Sequence, residues 1–241
     1  MNPNFIIWLG RRMAYLGDYK KAIAIYTEGI EKHPKDARMY RHRGHRYITT
    51  RQLDLAIKDF EKAVTLIQDT KDIIEPDGIP NRLNQPVSSL HTNIYYHLGL
   101  AYYLKADWPN ALSNYKKCLD ASTNDDMRVA ASHWLYMILQ RLERPEDANK
   151  LLEPIRFNMP IIENNVYHML LLYYKGDLID NDLDANNSGG VKEAAHYGIA
   201  HWHQYNNQSE TALAMYNYLV KNGIWTGFGY IAAEAELSRI Q

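Results

Sequence analysis

The sequence holds a single cysteine, Cys118, so an internal disulfide and a C-x-x-C redox or zinc pair are both excluded. No apolar run approaches the ~18 residues of a membrane-spanning helix, and Phe5 to Leu9 is too short even for the core of a signal peptide. Charge of one sign is not in excess either. The 27 Lys and Arg stand against 28 Asp and Glu, a net charge of -1, which argues against a general binder of nucleic acid. Also missing are H-E-x-x-H, G-x-S-x-G, a phosphate-binding P-loop and G-x-G-x-x-G, each of which encodes a geometry that its chemistry needs. What remains is an ordinary chain, 46% hydrophobic and 23% charged, with enough apolar material for a sizeable core.

What is present is a spacing. Gly10 is followed twelve residues later by Ala22, Gly44 by Ala56 and Gly99 by Ala111; the same interval separates Tyr136 from Ala148 and Ala200 from Ala212. Four residues beyond each alanine stands a large apolar side chain: Tyr26, Phe60, Tyr115, Leu152 and Tyr216. This small-large alternation is that of a helical hairpin, in which two antiparallel helices approach closely at Gly and Ala while an aromatic fills the gap to the next hairpin. Gly17-Asp18, Asp107 before Pro109, and Arg144-Pro145-Glu146-Asp147 lie between the paired helices, where a stop, a cap and a first-turn proline belong.

These residues resemble the tetratricopeptide repeat (TPR) family, whose signature is W-x2-L-G-x2-Y, then A-x3-F, then P. Leu9-Gly10, Ala22, Tyr26 and Pro34 match in a first unit. Tyr40, Gly44, Tyr47, Ala56, Phe60 and Ala63 match in a second, and Tyr95, Leu98-Gly99, Tyr102, Ala111 and Tyr115 in a third. The resemblance implies an all-α, right-handed superhelical solenoid of about five hairpins. As one array over 1–241, its units fall at about 3–36, 37–70, 92–125, 129–162 and 193–226, the last two degenerate. Insert loops are expected at about 69–90 and 176–190, and a C-terminal capping helix at about 228–240.

The resemblance also places the first helix of each hairpin along a concave face. In the second unit Arg38, Arg41, His42 and His45 fall at i, i+3, i+4 and i+7, one helical face, with Tyr40, Gly44 and Tyr47 opposite. Together with Arg11, Tyr96, His97, Tyr103, Arg141, Tyr197 and His201, they form the candidate partner-binding set. Such a groove suits a protein or peptide segment with acidic and aromatic or apolar side chains, since guanidinium forks pair bidentately with carboxylates. Solvation is the plain alternative for any single arginine, and core packing for Trp8 and Trp134. Family members that hold acidic chaperone tails use Lys and Asn, then Asn, then Lys and Arg. Here Ile7 and Arg11, His42, and Asn93 and His97 stand at those places, so chaperone-tail binding is not expected.

Other constellations are thin. Cys118 sits in a small-residue slot, which reads as a buried inert thiol. His196, His201 and His203 lack a carboxylate or cysteine to complete a metal set. Asp180, Asp182 and Asp184 echo a calcium loop, but Ala185 replaces its glycine and Val191 its closing glutamate. The expectation is therefore a non-enzymatic adaptor without metal or cofactor, with homo-oligomerisation open. The alternative is a small-ligand or enzymatic site built from groove histidines and the 69–90 loop. The C-terminal half, with Ser132-His133-Trp134-Leu135-Tyr136 and Tyr173-Tyr174-Lys175-Gly176-Asp177-Leu178, is similar to the NlpI-type periplasmic TPR lipoproteins. That resemblance, and an array beginning within two residues of Met1 without a polar cap, imply a chain trimmed of a signal segment, periplasmic or secreted; a cytoplasmic chain is the alternative.

Overall fold

A computed structural model describes residues 2–179 and 191–240. The calcium-like aspartates, and most of the expected 176–190 insert, lie outside the described residues. Among those described there are helices and no strand, with one isolated bridge between Ile74 and Ser89. The helices are α1 (Pro3–Tyr15), α2 (Tyr19–Lys32), α3 (Ala37–Thr49), α4 (Leu53–Ile67), α5 (Leu90–Leu104) and α6 (Trp108–Ala121). They continue with α7 (Asp125–Arg141), α8 (Pro145–Leu152), α9 (Asn165–Lys175), α10 (Val191–Tyr205), α11 (Ser209–Asn222) and α12 (Phe228–Ile240). The chain forms two compact units, Met1–Ser122 and Thr123–Gln241. The fold is an all-α helical repeat, and no described helix is long and apolar enough to cross a membrane.

Turn chemistry sets the hairpins. Asp18, Asp36 and Asp107 accept backbone N–H groups at the starts of α2, α3 and α6, satisfying donors that a helix start leaves unpaired. Ser89 and Thr92 form a reciprocal capping box at the start of α5. Each turn within a hairpin bends through one left-handed residue: Gly17, Arg51, Ala106, Glu143 and Asn207, with φ of 82°, 60°, 59°, 54° and 60°. Each stands five residues before an alanine of the repeat, so the backbone follows the same register as the side chains.

In the first unit α1 packs on α2, α3 on α4 and α5 on α6, with α2 against α3 and α4 against α5 joining successive hairpins. The glycines permit this approach. A Cβ added at Gly44 would lie 2.9 Å from the Phe60 ring, and one at Gly99 2.7 Å from the Tyr115 ring. Phe60 and Tyr115 are fully buried in return, each burial contributing roughly 1.5–3 kcal/mol. Cys118 lies in the same layer, its Sγ 3.5 Å from the Thr92 carbonyl, and burial pushes its thiol up to about 12.

The second unit departs from the simple ladder. Tyr136 stands where glycine does in the first three hairpins; its ring stacks on Tyr174 of α9, 4.4 Å apart and nearly parallel. α7 accordingly packs on both α8 and α9, and α8 is only 8 residues long. Asp126 fixes the start of α9 by accepting the N–H groups of Ile162, Glu163 and Asn164. At the other end α12 covers α10 and α11, as expected of a cap.

Candidate interaction face of the first unit

The face shared by α1, α3 and α5 is built from arginine, histidine and aromatic rings. Arg11 lies over Trp8, its guanidinium carbon 4.6 Å from the ring centroid. His42 stacks on Tyr26 with centroids 5.6 Å apart, and Arg41 Nη1 is 2.9 Å from His42 Nδ1. His45 and His97 rings meet at 4.5 Å; His97 also stacks on Phe60 and touches the Tyr96 ring edge-on. Thus α3 and α5 bring His45, Tyr96 and His97 together, while α1 and α3 bring Arg11, Arg41 and His42.

Burial controls the charge here. It holds His42 and His45 well below the usual imidazole range, with the fields of neighbouring arginines adding to the shift. Burial, reinforced by Arg41, lowers His97 to about 3, and its Nδ1–H donates to the Asn93 carbonyl at 2.6 Å. The histidines are therefore neutral, and the positive charge of the face belongs to the arginines. Arg46, outside the expected set, adds a further one, 5.8 Å from the Tyr19 ring, and no carboxylate among the described residues pairs with it. Burial lowers its proton affinity, so it too is largely withdrawn from water.

The acid that meets this face comes from the loop between α4 and α5. Glu75 is buried, with one carboxylate oxygen 3.1 Å from Arg41 Nε and the other 3.7 Å from His42 Nε2; Asn93 Nδ2 donates to it at 2.5 Å. Arg11 donates to the Pro76 carbonyl at 2.8 Å. The 69–90 loop is thus ordered and laid against the arginine face. Its signal was in the sequence: Glu75-Pro76-Asp77-Gly78 carries the charge that α3 lacks.

The other expected residues are placed differently. Arg38 is held by its own helix cap, with Nε 2.9 Å and Nη2 2.5 Å from the Asp36 carboxylate, and it donates to Asn4 at 2.7 Å. Tyr103 is fully buried against Trp108. Arg43, outside the expected set, forms a two-pronged pair with buried Asp59, both contacts 2.7 Å, that ties α3 to α4. Burial still raises the Asp59 carboxyl despite Arg43.

In the second unit, with His201 against the Tyr197 ring, Arg141 and Tyr197 converge on Glu236 of α12. Arg141 pairs with its carboxylate, Tyr197 donates to it at 3.0 Å and Arg239 at 2.8 Å. His201 is buried between Tyr197 and Tyr205, and burial followed by Arg141 holds it well below the usual range. Tyr197 and His201 are each 1% exposed, so they belong to a closed cluster rather than to an open groove. Among the described residues no three His, Cys, Asp or Glu side chains gather as a metal set.

Known proteins agree with this architecture. The tetratricopeptide repeat family model matches residues 37–70. A pilF protein structure from Pseudomonas aeruginosa covers 99% of this chain and 97% of its own, at 14% identity and a TM-score of 0.55. A tetratricopeptide repeat protein from Parabacteroides merdae covers 98% of this chain and 84% of its own, at 13% identity and the same TM-score. With the repeat matched over α3 and α4, and its glycine, alanine and aromatic positions recurring as packed contacts, residues 37–70 form a tetratricopeptide repeat and the chain has the fold of tetratricopeptide repeat proteins.

Proposed function

We propose that the chain is a non-enzymatic scaffold that binds an extended, acid-bearing segment of another protein on the face formed by α1, α3 and α5. The observation that carries the reading is the convergence of Arg11, Arg41 and Arg46 beside Trp8 and Tyr15, a set of planar cations and aromatic surfaces with one buried glutamate among them. Guanidinium groups bind carboxylates through paired hydrogen bonds, and withdrawal from water strengthens each pair. The neutral histidines add no positive charge; His42 and His97 are buried beneath the face and His45 is partly open on it.

The test uses synthetic peptides of about ten residues, carrying three acids interspersed with aromatic and apolar side chains, beside copies with every acid changed to its amide. Arg46→Ala removes no ion pair among the described residues, so it takes a cation from the face without stranding a buried carboxylate. The acidic peptides should bind and their amide copies should not. Arg46→Ala should weaken binding about tenfold, the cost typical of one charged hydrogen-bonded contact, at an unchanged melting temperature. Equal binding of acidic and amide peptides would remove the reading.

A further inference from the structure

We propose that the loop between α4 and α5 is a built-in occupant of the arginine face, a strap that mimics an acidic partner segment and must leave when that partner binds. This rests on the scaffold reading above and adds to it how the face is regulated and what the winning partner must carry.

The strap is held at its neck. Ile74 and Ser89 form an antiparallel bridge, flanked by Glu75 N–H to the Ser88 carbonyl and Leu90 N–H to the Ile73 carbonyl, both 2.9 Å. Asp72 closes the neck by accepting from Ser89 Oγ at 2.5 Å and from the His91 backbone at 3.0 Å. From this neck the chain lays Glu75, Pro76, Asp77 and Gly78 across the face, presenting two acids to it as a partner segment would. Gly78 comes so close to Tyr15 and Arg11 that a Cβ there would collide with both.

The strap's grip is polar. Its isoleucines stay largely in water: Ile73, at the edge of the face, is 48% exposed, Ile74 51% and Ile79 76%. Contacts made mainly by one carboxylate and one carbonyl, with little apolar burial over residues 73–79, can be exchanged for similar contacts from another chain at little net cost. The strap also leaves the face incompletely matched. Arg46 receives no carboxylate from it, and a cleft of about 280 Å³ remains beside Ile7, Trp8 and Arg38. Asp77 is poorly served in turn, since its Oδ2 is buried without a hydrogen bond. A partner segment that reproduces the Glu75 and Pro76 contacts, adds an acid for Arg46 and puts an apolar side chain into the cleft would make the strap's polar contacts and two more that the strap does not make.

A tethered segment competes at an effective concentration on the order of millimolar. An untethered copy of residues 71–81 should therefore bind the wild-type chain weakly. It should bind a Glu75→Gln/Asp77→Asn chain at least about tenfold more tightly, because the cis competitor has lost its charge. Circular dichroism melting checks that this variant is folded. Hydrogen exchange on the wild-type chain needs no variant: an acidic ten-residue peptide should speed exchange over residues 72–90 as it binds, while α3 and α5 stay protected. Equal affinity of the 71–81 peptide for wild type and variant, or binding of acidic peptides with exchange over 72–90 unchanged or slowed, overturns the strap and leaves the scaffold standing. If no acidic peptide binds either chain, the scaffold reading fails and the strap with it.

Discussion

The α-carbon of Gly44 faces the ring of Phe60 so closely that a single added methyl carbon would stand 2.9 Å from two ring atoms. Phe60 is fully buried and cannot swing away without pushing on its neighbours, His97 among them. Gly44→Ala should therefore destabilise the first unit although alanine is the better helix former. Overpacking of this kind costs about 1–3 kcal/mol, against a helix-propensity gain of at most ~1 kcal/mol. Urea unfolding would show a lower midpoint at unchanged slope. A raised midpoint would mean that the hairpin relaxes freely at this contact.

Ala106 offers the reverse experiment. It holds the left-handed turn between α5 and α6, with φ of 59°, where an L side chain costs roughly 1–2 kcal/mol and glycine nothing. Gly17 already occupies the matching place in the first hairpin. Ala106→Gly should stabilise by about 0.5 kcal/mol after the extra entropy of unfolded glycine is deducted. A thermal melt that moves downward would show that the alanine methyl makes contacts worth more than the strain.

Acid should loosen both units. Burial keeps His97 and His133 at about 3 and His42, His45 and His201 well below their usual range, while the unfolded chain binds these protons near pH 6.5. Because folded-state affinity is depressed, the stability gained from keeping them neutral is complete above pH ~6.5 and is lost as pH falls from there towards about 3. Each histidine contributes a slope of roughly 1 kcal/mol per pH unit in that window. Urea midpoints at pH 7.5 and 5 should differ markedly, and His97→Asn should flatten the dependence. A profile that stays level across this window would show that water reaches the rings.

The sequence carried the hairpins clearly because close packing has few solutions. Gly44 with Phe60 and Gly99 with Tyr115 are contacts that only certain residue sizes allow, so the sizes reveal the contact. The interaction face was less legible. Helical periodicity put Arg38, Arg41, His42 and His45 on one face, but it could not show that Asp36 holds Arg38 or that Glu75, thirty-four residues beyond Arg41, turns back onto it. Loop residues have no period from which a destination can be read. Tyr103 and His201, candidates for the binding face by helical position, are buried for a related reason. One face of an inner helix can meet solvent in one hairpin and a neighbouring helix in another, and only the packing decides which.

The position of Cys118 has a practical use. The thiol is 2% exposed, and its thiolate, the form that reacts with alkylating reagents, is suppressed by burial. It lies on α6, in the first unit, and the sequence has no other cysteine. Modification of the native chain must therefore wait for α6 to come away from α5, and the labelling rate becomes a clock for opening of that one hairpin. The chain carries its own reporter, able to time the first unit's local unfolding while the second contributes no signal at all.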